Sequence, residues 1–143
     1  MSESFRIVCA NIIERNGKIL LVQEGKEHVR GEWNLPAGSL EKGEDVIERA
    51  EQEAREETNL EVEPQELVGV YFPSTPEDSS DVITFVFNSE YQSGEVEVDG
   101  DEILDADWFT LERIENLNLR SSYIVESLED WEEGDTFPIE IIR

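Results

Sequence analysis

A chain of 143 residues with 38% hydrophobic content is one domain by length and long enough to bury a real core, so a single domain is expected over 1–143. Thirty-six acidic residues against 11 basic ones give a net charge of -25, which excludes a nonspecific nucleic-acid binder, because that needs a basic stripe. The lone cysteine, Cys9, excludes an internal disulfide, and no apolar run approaches the roughly 18 residues of a membrane span.

Charge of this size repels itself in the compact state unless salt screens it, and at about 1 M salt the Debye length is near 3 Å. The acidity is spread along the whole chain rather than held in one tail, so it reads as adaptation to high cytosolic salt, as in halophiles. The alternative is an acidic surface for a basic partner. No signal peptide is evident, and the expected location is cytoplasmic. No membrane or nucleic-acid partner is expected, whereas an anionic small molecule remains open if metal ions and a few local cations admit it.

In chain order, Phe5 to Ile13 is apolar and β-branched and predicts a strand that holds Cys9 as a buried core thiol. Asn16-Gly17 predicts a tight hairpin turn into a returning strand at Lys18 to Gln23. Glu24 to Glu32 is a polar loop with His28 at its surface, followed by a short strand at Trp33 to Leu35 and a turn at Pro36. Trp33 is expected to pack under that loop. Gly38 and Gly43 mark a second loop, and from Asp45 to Asn59 the chain has neither Gly nor Pro and is rich in Ala, Glu, Arg and Gln. That is one helix, with Glu44 or Asp45 suiting its positive end and Asn59 suited to a left-handed C-terminal cap.

Further strands are expected at Leu67 to Phe72, at Val82 to Phe87 in a central buried position, and at Ala106 to Thr110, with an edge strand at Glu95 to Val98. Leu111 to Leu117 and Tyr123 to Trp131 read as helices, and Pro138 to Ile142 as a closing strand. Strands mixed with one long and one or two shorter helices predict an α/β sandwich.

The Asp45 to Asn59 helix carries the chemistry. At about 100° per residue, Val46, Ile47, Ala50 and Ala54 form an apolar stripe, Glu57 falls inside it, and Glu53 sits at its edge with Glu56 just beyond. Three carboxylates on or beside an inward face are costly unless a cation compensates them, and an oxygen-only cluster suits a hard divalent ion such as Mg2+.

The run from Gly38 through Glu44, Gln52, Glu53, Ala54, Glu56, Glu57 and Asn59 to Leu60 resembles the signature box of the Nudix hydrolases, and Trp33 to Gly38 resembles the approach to it. Two positions depart from the pattern: the family arginine is Gln52 and the family glycine is Asn59. The resemblance implies an α/β/α sandwich with a mixed central sheet and a Mg2+- or Mn2+-dependent pyrophosphohydrolase cleaving a nucleoside diphosphate linked to another moiety. ADP-ribose-like compounds and nucleoside triphosphates are the substrate options. The alternative is a catalytically weakened nucleotide- or protein-binding module of the same fold, since neutral Gln52 supports a catalytic glutamate less strongly than a charged pair does.

By the same resemblance, Glu56 and Glu57 are metal ligands, Glu53 is a ligand or the base that takes a proton from water, and the Gly38 carbonyl joins the metal shell. Glu102, six residues before Trp108-Phe109, matches a later family glutamate and is a candidate further ligand, against the reading of an ordinary surface residue. Arg30 and Lys42 are the candidate phosphate-binding cations, each equally suited to a surface ion pair. Tyr71 and Phe72 are either base-stacking or core aromatics. Pro76, sixteen residues past Leu60, has a spacing similar to that of the ADP-ribose pyrophosphatase subgroup. Many members of the family dimerise, which leaves a homodimer open.

Overall fold

The computed structural model describes residues 5–72 and 81–143, so Pro76 and the segment around it lie outside the described residues. The Asn16-Gly17 turn forms as the dipeptide predicts, with φ of 53° and 79°. It joins β2 (Glu14–Arg15) to β3 (Lys18–Glu24). The strand before it is not one continuous arm of that hairpin. β1 (Arg6–Ile12) belongs to a different sheet, and the chain crosses from one sheet to the other at the fully buried Ile13. The near-continuous apolar run from Phe5 to Ile13 could not register this crossing.

The remaining elements are β4 (Trp33–Asn34), β5 (Ala37–Ser39), α1 (Val46–Thr58), β6 (Glu61–Tyr71), β7 (Val82–Ser93), β8 (Ile103–Phe109), α2 (Leu111–Ile114), α3 (Tyr123–Glu133) and β9 (Phe137–Pro138). The first sheet runs β5-β1-β7-β6-β9, with β1 and β7 parallel and the other pairs antiparallel. This is the expected mixed sheet, with the Val82 to Phe87 run at its centre. A smaller antiparallel sheet has β3 between β8 and the β2 and β4 segments.

Both faces of the mixed sheet are covered. Cys9, Leu67 and Phe87 pack with Ala50, Val46 and Ile47 of α1. Ala10, Ile12, Val68 and Val86 pack on the other face with Ile124 and Leu128 of α3 and with Ile19 and Leu21 of β3. The period-2 alternation of β1 thus serves two cores, which makes the layers an α/β/α sandwich.

Several boundaries differ from expectation. β6 begins at Glu61 rather than Leu67 and absorbs Pro64 beside a register shift, where a missing N–H is tolerated. β7 continues to Ser93, but Glu95 to Val98 is not a strand. That segment is tethered to the end of α1 instead: Glu97 N donates to Thr58 O at 3.0 Å, and Asn59 Nδ2 donates to Glu95 O at 3.2 Å. The helix after Leu111 stops at Ile114 because Asn116 and Leu117 bond back three residues and tighten the turn. The closing strand is only Phe137–Pro138, after which Ile139–Ile141 turns as a 3-10 helix. Among the described residues, no helix is long and apolar enough to cross a membrane.

Candidate active site

Helix α1 starts where its chemistry dictates. Asp45 caps it, its side chain accepting from Ile47 N at 2.8 Å, and Asn59 ends it in the left-handed region at φ 68°. Between these ends the helix lies on β1 and β5, with Ala50 and Ala54 fully buried. Asn11 on β1 locks this packing. Its Nδ2 donates to Ala50 O at 2.8 Å and to Pro36 O at 3.1 Å, while Ser89 Oγ donates to its Oδ1 at 2.8 Å. One buried amide therefore ties the helix, the turn before β5 and the central strand together.

That tie brings Glu53 and Glu57 against β5. Glu57 is half-buried, and its Oε1 accepts from Ala37 N at 2.9 Å. Glu53 is only 6% exposed, and its carboxylate lies so close to Gly38 that a methyl group there would overlap it. Burial pushes the Glu53 carboxyl above its ordinary range; Arg49 pulls it back and Glu56 adds to the rise. Burial pushes Glu57 well above that range too, opposed by the Ala37 N–H and reinforced by Glu53 and Glu24. Glu56 is exposed and accepts from Gln52 Nε2 at 2.8 Å, so Gln52 does support a box glutamate, through a neutral hydrogen bond.

Ala37 and Gly38 border a cavity of about 210 Å³. Its walls include Arg6, Lys26 and Arg120, the aromatic rings of Tyr71, Phe72 and Tyr123, and the carboxylate-bearing Glu24. Phe72 is 62% exposed, whereas Tyr71 packs on the core and donates through its hydroxyl to Asp130 at 2.6 Å. Tyr123 donates to Asn34 Oδ1 at 2.6 Å. His28 is at the surface as expected and also lines this cavity. Trp33 packs edge-on against Phe109, ring centroids 4.9 Å apart.

None of Arg30, Lys42 and Glu102 lines this cavity. Arg30 is exposed, donates to Gly25 O at 3.1 Å, and is not among the cavity-lining residues. Lys42 lines a second, more open cavity that shares Arg6 and Arg120 with the first. Glu102 is exposed on the loop before β8, where its carbonyl accepts from Gly25 N at 2.8 Å. Arg49, Glu24, Lys26, Arg6 and Arg120 are additions that sequence reasoning missed. Arg49 carried a signal, the i,i+4 spacing to Glu53; the others come together only through the fold.

The donor set fits a hard divalent ion. Three carboxylates occupy little more than one turn of one helix, and the two inner ones sit where burial penalises uncompensated negative charge. Among the described residues no three such side chains already stand gathered around one point. Glu53 is engaged by Arg49, Glu56 by Gln52 and Glu57 by the Ala37 amide.

The NUDIX domain model matches residues 4–128, and the chain belongs to the Nudix hydrolase family, enzymes acting on pyrophosphate bonds. It is 32% identical over 123 residues to an ADP-ribose pyrophosphatase of Methanocaldococcus jannaschii, covering 86% of this chain and 72% of that one. It is 31% identical over 140 residues to the phosphatase NudJ of Escherichia coli, covering 95% of this chain and 89% of the relative. A solved Nudix hydrolase from Nitrosomonas europaea superposes with a TM-score of 0.87 at 28% identity, over 98% of this chain and 97% of the other.

Proposed function

We propose that this Nudix hydrolase cleaves, with Mg2+ or Mn2+, a nucleoside diphosphate linked to a further group, with ADP-ribose-like compounds ahead of nucleoside triphosphates. The observation that carries the reading is the juxtaposition at Ala37 and Gly38. On one side stand Glu53 and Glu57, and on the other a cavity walled by Arg6, Lys26 and Arg120. Carboxylates serve a cation and the guanidinium and ammonium groups serve phosphate oxygens, so the two halves together suit a metal-bound diphosphate. The relation to an ADP-ribose pyrophosphatase supports the preferred substrate class.

In this reading Glu56 and Glu57 hold the ion, and Glu53 either joins them or takes the proton of the attacking water. A bound divalent ion would neutralise diphosphate charge and lower the pKa of a water molecule. Phe72, exposed at the cavity wall, offers a face for a base. Burial raises the Glu57 carboxyl well above its ordinary range, and a bound cation would favour its ionised form.

The test is release of phosphate or nucleoside monophosphate from a nucleotide panel in molar KCl with Mg2+ or Mn2+, comparing wild type with Glu57→Gln. Turnover by wild type and none by the variant is the expected result. A folded wild type that binds nucleotides but turns over none of the panel would overturn the proposed reaction.

A further inference from the structure

We propose that Arg49 is the positioning residue of this site: anchored on Glu44, it holds the Glu53 carboxylate against Gly38 in the orientation hydrolysis requires. The inference rests on the reading of Glu53 as a carboxylate of the reacting site. Arg49 reaches both partners at once. Its Nη2 donates to Glu53 Oε1, four residues on, and its Nη1 lies 3.4 Å from Glu44 Oε2. Glu44 is itself fixed, because its Oε1 accepts from Glu41 N at 2.7 Å. The guanidinium therefore bridges the loop before α1 to the middle of the helix.

The environment argues for orientation over stability. The Arg49 and Glu53 side chains are 15% and 8% exposed, so both charges lose most of their hydration. Among the described residues the buried Nε of Arg49 has no hydrogen-bond partner, a further cost of holding this pair inside. What the bridge supplies is direction. Gly38 closes one side of the Glu53 carboxylate and Arg49 grips one of its oxygens. Gln52, where the family has arginine, points elsewhere and serves Glu56. Among the described residues, Arg49 is the ion-pair partner of Glu53, so the charged support comes from one turn earlier in the helix.

The test compares Arg49→Gln, Arg49→Lys and Arg55→Gln in steady-state kinetics. Arg55 is the control: it also makes an i,i+4 pair, with Glu51, but on the exposed face. Arg49→Gln is expected to lower kcat by roughly 10- to 100-fold with KM little changed, the size of effect a misplaced reacting group produces. Arg49→Lys should recover part of that loss, and Arg55→Gln should match wild type. In parallel, the side-chain carboxyl carbon resonance of Glu53 is followed by NMR in metal-free protein, assigned through Glu53→Gln. It should shift in Arg49→Gln, which removes the charge that opposes burial, and stay in place in Arg55→Gln.

A folded Arg49→Gln with wild-type kcat, or with an unmoved Glu53 resonance, would overturn the proposal. So would a loss that appears only in KM. If Arg49→Gln does not fold, Glu44→Gln takes its place: it removes the anchor and should lower kcat by a smaller factor, and wild-type kcat there overturns the proposal equally. Absence of turnover in wild type would remove the proposed reaction, while the Glu53 resonance would still decide whether Arg49 positions it.

Discussion

The inner and outer faces of α1 each carry an arginine–glutamate pair at i,i+4 spacing, and the two pairs behave differently. On the outer face Arg55 pairs with Glu51 at 3.5 Å and with Glu61 at 2.7 Å, and these side chains are 39% to 46% exposed. The Arg55 partner lowers the Glu61 carboxyl, its first cause being the hydrogen bond. On the inner face Arg49 also pairs with a glutamate four residues on, yet the Glu53 carboxyl is raised, because desolvation there outweighs the same guanidinium. Water decides the sign. Where solvent screens both partners the pair is ordinary surface chemistry, and where the sheet excludes it desolvation outweighs the attraction.

Changes on the inner face should break this contrast, beginning with the largest. Glu57→Gln is expected to abolish turnover and yet raise the melting temperature of the metal-free protein at neutral pH. The folded protein holds the Glu57 proton to higher pH than the unfolded chain does, so ionisation destabilises the fold as pH rises through and above the ordinary carboxylate range. The stability gap between wild type and Glu57→Gln should therefore open with rising pH and close in acid, a sign that thermal melts at several pH values would check.

Gly38→Ala comes next, because the added methyl meets the Glu53 carboxylate. A loss of roughly 100-fold in kcat is expected, as for other small displacements of reacting groups, measured beside a circular dichroism spectrum that stays close to wild type. Asn11→Leu tests the tie that sets the inner face. It strands Ala50 O and the Ser89 hydroxyl in the core and should cost about 2–4 kcal/mol in urea unfolding. Asn59→Ala puts a residue less suited than asparagine to the left-handed region at φ 68° and removes a bond to Glu95, and should cost about 1 kcal/mol, while Asn59→Gly should lie closer to wild type. Arg55→Gln, on the outer face, should leave both turnover and the urea midpoint where they are.

Much of the inner face was legible before any coordinates. The 3.6-residue period put Glu57 within the apolar stripe and Glu53 at its edge, and both are drawn inward beside Ala50 and Ala54. Asp45 and Asn59 cap the helix as their side chains predict. The central place of the Val82 to Phe87 strand follows from its continuous apolar run, and the mixed sheet is the one the family resemblance implies. What periodicity could not reveal was which sheet each strand joins. The crossing at Ile13, the two-residue β9 and the docking of Glu95 and Glu97 on the end of α1 all depend on contacts with segments far along the chain. The cationic wall shows the same limit: Arg6, Lys26 and Arg120 are scattered over more than a hundred positions of a strongly acidic chain and share no local pattern.

The sequence by itself determined the helix, its caps, the glutamates on its inner face and the Asn16-Gly17 turn, because each rests on short-range geometry and backbone preference. Only the tertiary structure decided which arginine serves Glu53, which carboxylates lose water and which cations face them. Those outcomes depend on β5 closing over α1, and burial is a property of the assembled layers that no stretch of sequence carries alone.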